Sequence, residues 1–156
     1  MEKTLKITEE QAKKLYLEAS ANLKEILELN FGKTTFLKNF RDTVKTYEDA
    51  CEIIGEKPID EQHLMDCGIG KSEIAFIKLK TIFKAANKIN NNWNADYSES
   101  NQGKYYPLFT WSPSGFRYYV TDYTYSYAGS RLCCGTSDDA EYIGKKFEDL
   151  YNDYFG

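Results

Sequence analysis

The segment "GKYYPLFTWSPSGFRYYVTDYTYSYAGSRL", residues 103–132, decides the fold class of this chain. At its centre, "SPSG" at 112–115 has proline second and glycine fourth, which is typical of a type I turn. Residues on either side of the turn alternate with a period of two, so the segment predicts a β-hairpin. A third strand is predicted at "SRLCC", residues 130–134.

The register that such a turn imposes assigns the side chains of the hairpin to two faces. One face pairs Trp111 with Phe116, Phe109 with Tyr118, and Pro107 with Val120. The other pairs Thr110 with Arg117, Leu108 with Tyr119, and Tyr106 with Thr121. The first face, with its large rings, is predicted to be core. Because Pro107 lacks an N–H, its strand is predicted at the sheet edge, with 116–121 in the middle.

The first ninety residues have the apolar spacing of helices. Thr8 and Gln11 form a capping box, and the apolar stripe that follows predicts one helix ending at Gly32. The segment "TYEDACEIIG", 46–55, predicts a second, shorter helix. The apolar face of 72–89 is wide enough to predict a central helix that neighbours touch from more than one side.

A last helix is predicted from "TSDD", residues 136–139, to the C-terminus. Gly144 lies on its apolar face and would allow close approach, so this helix should lie across the sheet. The prediction is one α+β domain over 1–156. It consists of a helical N-terminal half (about 1–92), then a small three-stranded antiparallel sheet packed against a C-terminal helix (about 103–156).

Length and composition favour a soluble domain. The 156 residues are 42% hydrophobic and 28% charged, and no run approaches the roughly 18 apolar residues of a membrane span. The N-terminal "MEKTLKITEEQ" lacks the apolar stretch of a secretory signal, so a cytoplasmic location is expected. In that compartment the four cysteines are expected to be free thiols.

The charge distribution disfavours nucleic acid as a partner. Residues 1–92 carry fifteen basic and fifteen acidic side chains, whereas residues 93–156 carry five basic and nine acidic ones. The aromatic half is therefore the acidic half. Tight binding to a phosphate backbone depends on clustered Lys and Arg, which this half lacks.

The segment "GIGKS" at 68–72 resembles the end of a phosphate-binding loop, but it departs from that pattern. The pattern requires glycine five positions before Gly70, where this chain has Met65, and a buried strand before the loop. A flexible turn, with Ser72 capping the next helix, is the favoured interpretation.

Other candidate chemistry is equally weak. The possible zinc ligands are His63, Cys67, Cys133 and Cys134. Adjacent cysteines in a strand point to opposite faces, so small buried hydrophobic residues are the favoured interpretation. The acidic pairs at 138–139 and 148–149 lie at the start or outer face of the last helix, where they favour the helix dipole or solubility. No catalytic residue, metal or cofactor is predicted.

The tyrosine-rich side of the hairpin is the candidate binding surface. Its residues are Tyr106, Arg117, Tyr119, Tyr123, Tyr125, Tyr127 and Arg131. Tyrosine is favoured at protein interfaces, where acidity is no obstacle, so a protein partner is the first hypothesis. A single-stranded nucleic-acid platform is the alternative, although such platforms also supply a basic groove. These tyrosines could also simply pack beneath the polar loop.

Two segments, "NNWNADYSESNQGKYYPLF" and "GSRLCCGTSDDAEYIGKKFEDLYNDYF", resemble a group of small uncharacterised proteins encoded by bacteriophages and integrated mobile elements of gut anaerobic bacteria. The segment "KTYEDACEIIG" is similar too, and the tail from Ser130 is the most specific part. The resemblance implies a phage or mobile-element product that works inside a bacterial cell. Its partner would then be a host protein, with no membrane involved.

Overall fold

The computed structural model describes residues 6–36, 39–125 and 131–156. The chain forms two compact units, residues 1–38 and 39–156. The predicted extent of a single domain stays a prediction. Within the described ranges, no helix is both long and apolar enough to cross a membrane.

The first unit contains helices α1 (Glu9–Glu18) and α2 (Ala21–Phe31), then a short 3₁₀ helix, Lys33–Phe36. The capping box of Thr8 and Gln11 is present, and α2 ends at Gly32 as predicted. The single long helix is wrong, because Ser20 is extended and caps a new helix by accepting from the N–H of Leu23. The chain therefore turns back, and Tyr16 stacks on Phe36 at a centroid distance of 4.3 Å.

The second unit begins with α3 (Phe40–Thr43), α4 (Tyr47–Ile54), α5 (Glu61–Asp66) and α6 (Lys71–Ile89). The predicted helix at 46–55 is confirmed, with Thr46 as cap and Gly55 just past the end. Helix α6 is central, as predicted, since it contacts α3, α4, α5 and both C-terminal helices. Its completely buried residues include Leu79 and Ile82.

The hairpin consists of β1 (Lys104–Ser112) and β2 (Gly115–Thr124). The predicted pairing holds from Ser112↔Gly115 to Phe109↔Tyr118. Beyond this point the register shifts by one, so that Leu108 lies opposite Val120 and Tyr119 has no partner in β1. Such a β-bulge places two consecutive residues opposite one and bends the strand. The second half of the predicted register is therefore wrong.

The α+β class is confirmed, but the three-stranded sheet is wrong: the sheet formed by the described residues has two strands. Cys134 makes one isolated bridge to Tyr105, with 2.9 Å hydrogen bonds in both directions, and β1 therefore lies between Cys134 and β2. Pro107 explains why the pairing stops. It is the next residue whose N–H would face that side, and proline has none.

The C-terminal segment forms two helices, α7 (Ser137–Lys146) and α8 (Glu148–Phe155), where one was predicted. Phe147 leaves the helical conformation between them (φ −111°, ψ 30°). Helix α7 contacts both strands, and α8 contacts β2 on one side and α6 on the other. These helices therefore cover one face of the hairpin and join it to α6.

The predicted core face of the hairpin is confirmed at Phe109 and Phe116, but it is wrong at Val120, which the register shift moves to the other face, where it is 42% exposed. The ring of Phe109 lies 4.2 Å from that of Tyr151, and the ring of Phe116 lies 4.7 Å from that of Phe155. Trp111, however, is 68% exposed. Because Trp111 lies one residue from the turn, at the end of the sheet, it is exposed, and the prediction that it is buried is wrong.

Candidate functional site

The uncovered side of the hairpin is an exposed apolar surface. We call it the outer face and define it by Tyr106, Leu108, Thr110, Arg117, Tyr119, Val120 and Asp122. Tyr119 is 70% exposed, and Leu108 and Val120 are about 40% exposed (38% and 42%). The bulge brings Tyr119 and Val120 together opposite Leu108. Three large side chains thus lie side by side in solvent.

Three of the residues predicted to bind a partner lie on this face, and they differ in how accessible their side chains are. Tyr106 lies on β1 opposite Asp122 and is half-buried, and burial raises the pKa of its hydroxyl. Arg117 is exposed and donates from Nη1 to Glu148 Oε1 at 2.5 Å. Tyr119 is thus the most accessible ring of the face.

The free edge of β2 is covered by two side chains of α8. The Asn152 carboxamide accepts from the N–H of Phe116 at 2.7 Å and donates to its carbonyl oxygen at 2.9 Å. Four residues earlier on the helix, Glu148 accepts from the N–H of Tyr118 at 2.8 Å. This hydrogen bond and that from Arg117 hold the pKa of Glu148 below its usual range. The edge therefore pairs with side chains instead of a third strand.

We expect the stabilisation that Glu148 provides to be lost as the pH falls into the acid range. Because its pKa is lowered in the folded state, its contribution is present above the unfolded pKa of about 4.3 and is lost as pH falls through the folded value. The difference in unfolding free energy between wild type and Glu148→Gln should therefore be largest near neutral pH and shrink in acid. Urea unfolding across this range measures it.

Glu141→Gln is the matched control, since Glu141 forms an exposed ion pair with Lys145 one turn along its own helix. Its effect on stability should be small at every pH. A Glu148→Gln difference that does not change between neutral and acid pH would contradict the role given to the carboxylate.

The other predicted tyrosines form a separate group at the open end of the hairpin. The ring of Tyr123 lies 5.7 Å from that of Tyr105 and 5.3 Å from that of Tyr125. Since Tyr105 and Tyr123 pair three residues beyond Leu108 and Val120, an odd spacing, their side chains belong to the opposite side of the sheet. Tyr127 lies outside the described residues. The predicted surface is thus divided.

Arg131 belongs to a third location. Its guanidinium lies 4.2 Å from the ring centre of Tyr97, and the Nζ of the fully buried Lys104 lies 5.5 Å from the same ring. Arg131 and Tyr97 line a cleft of about 720 Å³ along α6. The sequence interpretation did not find this cleft, although the repeat of Lys80, Lys84 and Lys88 at four-residue spacing is a signal for a basic helix face.

The four candidate zinc ligands do not come together at one site among the described residues. Cys67 Sγ lies 3.8 Å from His63 Nε2, so these two side chains are neighbours. Burial raises the pKa of Cys133, and it raises that of Cys134 to about 12, so both are held as thiols. Across the described part of the chain, no three His, Cys, Asp or Glu side chains are grouped to hold a metal ion.

The residues of "GIGKS" have structural roles. Gly70, not Ser72, is the N-cap of α6, so the predicted cap is wrong. Ser72 instead donates to the carbonyl oxygen of Tyr154 at 2.5 Å, and Lys71 pairs with Asp153 at 2.7 Å. Both residues therefore tie α6 to α8.

Comparison of the chain with protein-family models, with curated proteins and with solved structures finds no match.

Proposed function

We propose that the chain is a non-enzymatic interaction protein that binds another protein through the outer face of its hairpin. The observation that carries this proposal is the contrast between the two faces. One is packed against α7 and α8, whereas the other leaves Leu108, Tyr119 and Val120 accessible. Contiguous exposed apolar groups of this kind are typical of interaction sites.

The chemistry of the outer face favours a protein over a nucleic acid. Its one basic residue, Arg117, is engaged with Glu148, and Asp122 adds a negative charge beside Tyr106. A phosphate backbone would meet a carboxylate here and no clustered cations. An apolar patch with a polar rim, by contrast, would bury the exposed tyrosine and its neighbours. The resemblance to phage and mobile-element proteins supports a host protein in a bacterial cytoplasm as the partner.

Tyr119→Ser should separate binding from stability. Because Tyr119 is 70% exposed, its replacement should change the free energy of unfolding by no more than about 0.5 kcal/mol. Loss of an aromatic anchor should weaken the complex by about 2 kcal/mol, or roughly thirtyfold in Kd. The measurement is capture of host proteins from bacterial lysate on immobilised protein, followed by titration of the purified partner.

Two matched variants locate the surface. Tyr125→Ser removes a half-exposed ring from the other side of the sheet, and Leu29→Ser removes an 80% exposed apolar residue from α2. Both should leave capture unchanged. If Tyr125→Ser abolishes capture and Tyr119→Ser does not, the outer face is not the binding surface. Capture that disappears on nuclease treatment would instead support the single-stranded nucleic-acid alternative.

A further inference from the structure

The cleft along α6 has a charge opposite to that of the protein as a whole. Fourteen of the described residues line it, among them Lys80, Lys84, Lys88 and Arg131, and none of the fourteen is Asp or Glu. The chain itself carries a net charge of −4. A concave site lined by positive charges raises the local concentration of anions. Its volume of about 720 Å³ is that of a small-molecule site.

The three lysines differ in how far they are already engaged. Lys88 donates from Nζ to the carbonyl oxygen of Ile53 at 3.0 Å. Lys84 pairs with Glu56 at 2.5 Å, but both side chains are more than half exposed, so the pair is weak and exchangeable. Lys80 is exposed, and among the described residues no hydrogen bond or ion pair of its side chain is found. Of the three lysines, Lys80 and Lys84 are therefore the more available to an anion.

An aromatic ring is fixed in the wall of the same cleft. Helix α6 ends in a tight turn in which Asn91 and Asn92 both have left-handed φ values, 53° and 54°. The turn brings Trp93 back onto the helix, where the backbone N–H of Trp93 donates to the backbone carbonyl oxygen of Asn87 at 2.9 Å. The indole packs so closely on Gly135 that a Cβ there would lie 2.8 Å from it. Trp93 is thus a positioned ring that lines the cleft.

A buried acceptor without a donor belongs to another residue that lines this cleft. Asn87 donates from Nδ2 to the carbonyl oxygen of Cys133 at 3.0 Å, and because that oxygen can only accept, the orientation of the carboxamide is fixed. Its Oδ1 is buried and has no hydrogen-bond partner among the described residues. Buried polar atoms are almost always paired, so an unpaired acceptor on a residue that lines the cleft points to a donor on a ligand.

We infer that this cleft binds a purine nucleoside phosphate. The purine stacks on Trp93 and its amino or ring N–H group donates to Asn87 Oδ1, while the phosphate lies on Lys80 and Lys84. Asn87 and Lys80 are seven residues apart, about 10 Å along the helix axis, so base and phosphate have separate positions. The site is distinct from the outer face of the hairpin, and the two proposals stand or fall separately.

Trp93 itself reports the binding. The chain has two tryptophans, and the other, Trp111, is largely exposed, so Trp111→Phe leaves a folded protein with Trp93 as its only indole. Titration of this variant with AMP and with GMP should give a saturable change in Trp93 fluorescence for at least one of them. Adenosine or guanosine without phosphate, and inorganic phosphate without the base, should each bind about tenfold more weakly or worse.

Charge-removal variants in the same background complete the test. Lys80→Gln combined with Lys84→Gln should weaken nucleotide binding about tenfold or more, since both side chains are exposed and their loss should not unfold the chain. Lys146→Gln removes an exposed charge from α7 and should change nothing. Absence of a saturable response to both nucleotides up to millimolar concentration overturns the inference. So does an unaltered affinity in the double variant, equal affinity for phosphate alone, or much tighter binding of a short single-stranded oligonucleotide.

Discussion

Gly144→Ala is expected to destabilise the protein by about 2–3 kcal/mol, because helix α7 touches the sheet at this residue. A Cβ on Gly144 would lie 2.5 Å from Cδ2 of Tyr118 and 2.6 Å from Cβ of Pro107. The Tyr118 ring could rotate slightly, but Pro107 Cβ is fixed to the backbone of β1. The helix would therefore have to move off the strands, and the contacts of the buried Ile143 would loosen with it.

The sign of this effect makes the test sharp. In an ordinary helix interior, Ala in place of Gly stabilises by roughly 0.5–1 kcal/mol, so only close packing can make the substitution unfavourable. Urea unfolding gives the free energy, and the exposed neighbour Lys146 supplies the control. Lys146→Ala should be more stable than Lys146→Gly by the ordinary propensity difference. A Gly144→Ala protein as stable as the wild type would mean that α7 does not approach the sheet so closely.

Asn152→Leu is expected to cost about 2 kcal/mol, because leucine keeps the approximate shape but leaves two half-buried backbone groups of Phe116 without partners. Asn152→Asp should be intermediate, since a carboxylate can still accept from the N–H but cannot donate to the carbonyl oxygen. Thermal or urea unfolding measures both. Sedimentation should also reveal concentration-dependent association of the leucine variant, as its β2 edge is left uncovered.

Gly115, at the end of the turn, restricts which substitutions the β2 edge accepts near Asn152. Gly115 has a φ of +109°, and a Cβ there would lie 2.5 Å from Asn152 Oδ1. No other residue fits without strain and without displacing the carboxamide. If Asn152→Leu proves as stable as the wild type, water satisfies Phe116 and the capping of β2 by α8 is not needed for folding.

Local signals were the part of the fold that the sequence could predict. The capping box at Thr8, the short helix at 46–55 and the turn at 112–115 depend on neighbouring residues alone, and each is confirmed. The close approach at Gly144 was also predicted, because a glycine on an apolar helix face lets the helix backbone come near the layer beneath it. Ser20 carried a capping signal that the continuous apolar stripe concealed.

The errors arise where tertiary packing decides. No residue type marks the bulge at Tyr119. The error is large because a register shift of one residue changes the face of every residue of that strand beyond it. Trp111 has the right alternation for the core, but it lies at the tip of the hairpin and is largely exposed. The cleft was missed because Lys80 and Lys84 look like a solvated helix face until Trp93 and the distant Arg131 are placed beside them.

Pro107 has a consequence for the way any partner can be recognised. β-Augmentation requires a sheet edge that offers N–H and C=O groups at alternate residues. Along β1 the N–H of Tyr105 is already bonded to Cys134, and Pro107 has none to offer. An incoming strand would find no donor across this stretch. We therefore expect a partner bound through the proposed outer face to recognise side chains and not main chain at this stretch, and so to be sensitive to single substitutions and indifferent to unrelated extended peptides.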